Sequence, residues 1–147
     1  MGRNMEIAAT GGNFSAGNLG ELHAKRLLEY EGVNPADGSS FPGKVFLAES
    51  LKASGMELSF QVMPPNMGVP FFHKHHKNEE VYIVLKGDGE FRIDGGVVPV
   101  KEGSVVRIAP DGSRSWKNTG KEPMIMLCIQ AVAGSLREFT GHDGYMS

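Results

Sequence analysis

Three of the five histidines fall within four residues, at His73, His75 and His76, and Glu79 and Glu80 follow at once. Imidazole nitrogens and carboxylate oxygens are donors for divalent transition metals, so this density points first to metal chemistry. Spacing decides which of them can converge. On a helix, residues two apart diverge by about 200°, whereas on a strand they share one face about 6.8 Å apart. Pro64, Pro65 and Pro70 just upstream disfavour a helix. The pattern therefore predicts a strand that presents His73 and His75 together, then a short turn after which Glu80 opens the next strand facing the same way. Two imidazoles and one carboxylate leave coordination positions open, an arrangement suited to Fe(II) and compatible with Mn(II), Zn(II), Ni(II) or Cu(II). The competing reading is a solvated charged turn, HKHHKNEE, whose histidines only cap strand ends. His76 has the opposite strand parity and is expected to point outward.

The elements that would position these residues begin at Gly43. From there the chain runs as short β-type segments, KVFLAE, MELSFQVM, EVYIVLK, EFRID, VVPVK, SVVRIA and MIMLCIQAV, separated by turn residues. Asp88-Gly89 accommodates a tight hairpin turn, so strands ending near Lys86 and starting near Glu90 are expected to pair. Asp94-Gly95-Gly96, Glu102-Gly103 and Pro110-Asp111-Gly112 mark further turns. With 20 glycines and 8 prolines in 147 residues, an all-β domain is the expected class. Residues 1–42 read as an N-terminal arm and connector with room for one short helix, 43–133 as the barrel, and 134–147 as a C-terminal tail. The first 17 residues show no periodicity and are expected to be disordered or ordered by a partner surface. Asn18 and Glu21 have capping-box spacing ahead of the stripe Leu19, Leu22, Leu27 and Tyr30.

Charge and cysteine content exclude several function classes. A net charge of −2 gives no positive field for phosphate backbones or anionic lipid, so neither nucleic acid nor membrane is an expected partner. The single cysteine, Cys128, excludes an internal disulfide framework and a zinc site of several thiolates. It sits mid-strand in an apolar run and reads as a small buried hydrophobe. That run, Met124 to Ile129, is far short of the roughly 20 residues needed to span a bilayer. No basic segment followed by an apolar stretch opens the chain. A soluble, cytoplasmic protein is expected.

The histidine segment resembles the first motif of the cupin superfamily: a glycine, HxH, a glutamate and a further glycine. Gly68, His73-Lys74-His75, Glu80 and Gly87 supply it, with one residue fewer after Gly68. Gly103 to Asn118 follows the outline of the second motif through Pro110, Gly112 and Asn118, but the family's histidine is replaced by Arg114 or Ser115, depending on the direction of counting. The resemblance covers roughly residues 43 to 132. It implies a single antiparallel cupin barrel, a double-stranded β-helix or jelly roll, with a divalent metal (Fe, Mn, Zn or Ni) on His73, His75 and Glu80. Arg114 carries no lone pair and would repel a cation while attracting an anionic group; the alternative is a surface arginine beside Trp116. Ser115 offers a weak neutral ligand.

Alternation places Glu57, Ser59 and Gln61 on one face of a strand, toward solvent or, alternatively, toward the barrel mouth, where Glu57 and Gln61 would contact a polar ligand. The resemblance implies a metal-dependent enzyme acting on a small organic molecule, of dioxygenase or sugar isomerase type. The alternative is a non-catalytic ligand-binding or sensor barrel. A homodimer is expected, because both faces of the Met124–Val132 strand are apolar and the outer one needs cover from a second copy or from the arm.

Overall fold

A computed structural model describes residues 3–34 and 36–147; Met1 and Gly2 of the expected arm and Pro35 of the connector lie outside the described residues. Two antiparallel sheets face each other across one core. The larger is built from β5 (Lys44–Phe46), β6 (Glu57–Met63), β7 (Asn78–Lys86), β10 (Val105–Ile108) and β12 (Met124–Val132), in the order β10-β7-β12-β6-β5. The smaller is β11-β8-β9, from β8 (Asp88–Ile93), β9 (Gly96–Lys101) and β11 (Arg114–Asn118). Met63, Tyr82, Val84, Met124, Met126 and Cys128 project from the first sheet onto Phe91, Val100 and Trp116 of the second. This is the all-β architecture expected from the turn-rich composition.

Of the four turn signals one makes a hairpin, and the other three join strands that do not pair with each other. Asp94 and Gly95, with φ of 50° and 84°, join β8 to β9 in direct antiparallel register. The expected pairing across Asp88-Gly89 does not form: β7 pairs with β10 and β12, while β8 pairs with β9 and β11. Gly87 takes the left-handed φ of 88°, and the chain crosses there from one sheet to the other. A Cβ at Gly87 would stand 2.8 Å from the Met124 backbone, so the corner needs glycine on two counts.

The N-terminal region packs on the chain's own sheet. β1 (Glu6–Thr10) and β2 (Ser15–Asn18) form a hairpin, and β3 (Glu31–Val33) pairs with β4 (Ser40–Pro42). Met5, Leu19, Leu27 and Tyr30 cover Val45, Val62 and Ile125 on the outer face of the five-stranded sheet. Burying a side chain such as Leu27 or Tyr30 stabilises by roughly 1.5–3 kcal/mol, which fixes an arm that its own periodicity does not announce. The short helix α1 is Ala24–Leu27, capped by His23, whose Nδ1 accepts from the Arg26 N–H at 3.1 Å. Asn18 is not that cap; its side chain accepts from Gly20, whose φ of 83° interrupts any earlier helix. A second short helix, α2, spans Ala48–Leu51. No helix among the described residues is long and apolar enough to cross a membrane.

Candidate metal centre

The histidine segment is extended but too irregular to pair as a full strand. Gly68 bridges Lys117 and His73 bridges Arg114, both on β11, and the His75 N–H donates to Pro110 O at 3.0 Å. Pro64 and Pro65 ahead of this stretch and Pro70 within it have no N–H to give a ladder, in keeping with the missing bonds. These few anchors still place His73 and His75 on the inner side, while Lys74 and His76 are exposed. Glu80 lies near the start of β7, opposite Gln130 on one side and Ile108 on the other, and also faces in.

Donor atoms of His73, His75 and Glu80 lie within 4.8 Å of one another. His75 Nε2 is 3.1 Å from Glu80 Oε1, and His73 Nε2 is 4.0 Å from Glu80 Oε2. The carboxylate is the deep member, 5% exposed in its side chain, against 29% and 25% for the two imidazoles, so the triad is approached from the histidine side. Among the described residues, the buried side-chain nitrogens without a hydrogen-bond partner are His73 Nδ1, His75 Nε2, Arg114 Nε and Trp116 Nε1. Trp116 meets His73 edge-on at 6.0 Å, so these unsatisfied groups belong to one cluster. Two nitrogen donors and one oxygen donor suit a borderline transition metal. Two ligands each about 2.1 Å from an ion are at most about 4.2 Å apart, so the triad fits such an ion after a contraction of a few tenths of an ångström.

Glu80 is held from several sides. The Tyr82 hydroxyl donates to Oε2 at 2.5 Å, Cys128 Sγ donates to Oε1 at 3.6 Å, and Arg114 Nε lies 3.4 Å from Oε2. Burial, with Cys128 and Glu80 alongside, pushes the Tyr82 phenol upward, so it remains a donor. Burial likewise pushes the Cys128 thiol up to about 12, in line with an inert hydrophobe. His73 is held below its ordinary value, chiefly by burial, with Glu80 acting in the opposite direction and Arg114 reinforcing the shift. Its neutral, lone-pair-bearing form is therefore favoured.

The remaining candidates separate cleanly. Arg114 is fully buried, which removes the surface reading; its Nη atoms donate to His73 O and Ala109 O, each at 3.4 Å. Ser115 faces away from the triad and donates to Val69 O at 2.9 Å. The Glu57–Ser59–Gln61 face is turned to the interior, because Gln61 pairs with Met126 and Ser59 with Cys128. Glu57 is nevertheless occupied: its Oε1 accepts from the Leu47, Ala48 and Leu58 N–H groups and so caps α2. Gln61 lies beside Lys44 of β5. Phe71 and Phe72 are exposed, with Phe71 6.2 Å from the His73 ring. Sequence reasoning missed Tyr82. The Glu80-x-Tyr82 spacing carried a usable signal, since residues two apart on a strand share a face.

These two sheets and their inward triad agree with comparisons to known proteins. Residues 59–130 match the family model described as Cupin domain. The chain is 32% identical over 92 residues to the oxalate-binding protein of Thermotoga maritima, covering 59% of this chain and 75% of that one. It is 33% identical over 129 residues to a glucose-6-phosphate isomerase of Pyrococcus horikoshii, covering 84% of this chain and 57% of the isomerase. A cupin protein of Bacteroides fragilis of known crystal structure superposes with a TM-score of 0.69 at 42% identity, over 71% of this chain and 88% of that one. This chain belongs to the cupin family. It spans only 45% of an uncharacterized relative from Methanocaldococcus jannaschii, as it spans only 57% of the isomerase.

Proposed function

We propose that this protein is a metal-binding cupin that acts on a small organic molecule, with His73, His75 and Glu80 holding one divalent transition metal, Fe, Mn, Zn or Ni. The observation that carries the reading is the convergence of three ligand atoms within 4.8 Å beside buried imidazole nitrogens with no other partner. When bound, the metal supplies Lewis acidity that polarises a carbonyl or carboxylate oxygen of the substrate. Tyr82 and Arg114 orient the Glu80 carboxylate, as outer groups around a metal ligand do. The oxalate-binding protein and the glucose-6-phosphate isomerase among the relatives support a small oxygen-rich substrate, and the second supports isomerase-type chemistry; dioxygenase-type chemistry is the other form of the proposal.

One observation favours the alternative, a non-catalytic binding or sensor barrel: Arg114 already balances the charge of Glu80. Turnover separates the two. Metal-restored protein incubated with oxalate and with hexose 6-phosphates is expected to consume one of them, and metal-stripped protein to consume neither. Saturable binding without turnover of either compound selects the sensor reading. A homodimer remains part of the proposal. Because the arm covers the outer face of β12, the surfaces that ask for cover are Val105 on edge strand β10 and Val97 and Val98 on edge strand β9.

A further inference from the structure

Lys44 is the cation that the metal centre leaves unexplained. It opens β5, at the edge of the larger sheet, directly opposite Gln61, which in turn faces Met126. Met126 belongs to the interior cluster with Tyr82 and Trp116, so this row of side chains points into the barrel. Lys44 therefore enters the same interior as Glu80, from the other side of the sheet. Three strand spacings, on the order of 14 Å, separate their backbones before curvature is counted.

The direction of the side chain narrows that gap. The Lys44 ammonium lies 5.2 Å from the centroid of Phe46, two residues further along β5. The Phe46 row continues through Ser59, Cys128 and Tyr82, and the next row is Glu57, Gln130 and Glu80. Lys44 thus leans toward the level of the metal ligands. Its stem runs against Gly32, where a Cβ would approach Lys44 Cβ to 2.7 Å, so the backbone of β3 leaves room for it. Phe46 is 47% exposed, and this end of the interior is open to solvent.

Lys44 is partly buried, and an ammonium withdrawn from water is costly without a counter-charge. Lys44 makes no ion pair among the described residues. The two interior-facing carboxylates are already engaged: Glu57 by three backbone N–H groups, Glu80 by Arg114 and Tyr82. Burial pulls the ammonium below the usual lysine range, while Cys128, Glu80 and Glu57 act the other way. An ammonium and the unpartnered Trp116 indole N–H are both donor-only groups, and they call for oxygen acceptors.

We infer that Lys44 is a substrate-binding residue, which receives the anionic oxygen group, carboxylate or phosphate, of a small molecule whose other end is presented to His73, His75 and Glu80. Gln61, its neighbour on the same face, is placed to hydrogen-bond the same group. This assignment rests on the proposed metal-site reading and narrows it to anionic substrates.

Calorimetric titration of the intact chain tests it. Mn(II) is titrated first into wild type, Lys44→Met and Lys44→Arg. Oxalate and inorganic phosphate are then titrated into each protein, metal-loaded and metal-stripped. Equal Mn(II) uptake is expected in all three. Wild type is expected to bind one of the anions, which identifies the group, and K44M to bind it about tenfold to a hundredfold more weakly, with K44R largely restoring it. Anion binding by K44M equal to wild type overturns the inference, as does a wild type that binds neither anion. If no protein takes up Mn(II), the metal reading fails separately, and the metal-stripped titrations still decide the role of Lys44. Lys44→Gln gives the same comparison should K44M fail to show a cooperative melt.

Discussion

Arg114 Nε lies 3.4 Å from Glu80 Oε2 in a place that water does not reach: the arginine is fully buried and the glutamate 4% exposed. A guanidinium therefore stands beside the carboxylate that the metal reading requires. It fixes the orientation of Glu80, and its positive charge opposes the arrival of another cation.

Exchanging that arginine for a neutral donor separates the two effects. Arg114→His is expected to raise Mn(II) affinity by at least about tenfold, since it removes a nearby positive charge and adds an imidazole lone pair. Arg114→Met removes the charge without adding a ligand. Before metal is added it should lose about 3–5 kcal/mol, because Glu80 is left as a buried unpaired charge, and metal should restore part of that. Calorimetric titration with parallel thermal melts reads both; unchanged affinity in the histidine variant contradicts the charge competition.

Tyr82→Phe tests the hydroxyl that donates to Glu80 Oε2. Loss of a hydrogen bond to a charged group costs about 1.5–3 kcal/mol, and metal affinity should fall by about tenfold. A variant with wild-type melting temperature and wild-type metal affinity would show that the phenol does not position the carboxylate.

Which parts of this arrangement were legible in the sequence follows from how each is encoded. His73, His75 and Glu80 are close in the chain, so strand parity with one turn offered their convergence alongside the competing solvated turn, and the cupin resemblance decided between them. The Glu57–Gln61 face was readable as a face but not by its direction, because only pairing with β12 decides which side is inside. The Asp88-Gly89 pairing failed because a turn signal reports that the chain reverses and not which sheet receives the next strand; Gly87 sends it to the opposite sheet. Of the arm's apolar residues, Leu19, Leu27 and Tyr30 could be read as a loose helical stripe while Met5 lies in a stretch without periodicity; that all four cover the outer face of a distant sheet is not encoded in local spacing.

Cys128 is expected to be inert in the folded protein. It is 7% exposed and its thiol is pushed up to about 12, chiefly by burial, so little thiolate exists at pH 8. A thiol-alkylating reagent should modify the native protein far more slowly than the denatured protein. Equal rates, followed by mass spectrometry, would place the sulfur at the surface.

Anion binding through Lys44 should depend on pH in one direction. Burial lowers the ammonium's pKa from the usual lysine value, opposed by Glu57 from β6, Glu80 from β7 and Cys128 from β12. A base with a lowered pKa loses its charge earlier as pH rises. The Lys44-dependent part of anion affinity should thus fade at a lower pH than the one at which a free lysine titrates. Its survival to the ordinary lysine range would contradict this, and the difference between wild type and K44M across pH isolates the effect.

The most direct test of the central claim is the metal content of protein purified without chelator, measured by elemental analysis for wild type and His75→Ala. The account predicts about one divalent transition metal per chain in wild type and a loss of most of it in H75A, with the fold retained because His75 is partly exposed and its loss opens no core cavity. Metal-free wild type that takes up none on titration, or an H75A variant that keeps its full complement, would contradict it.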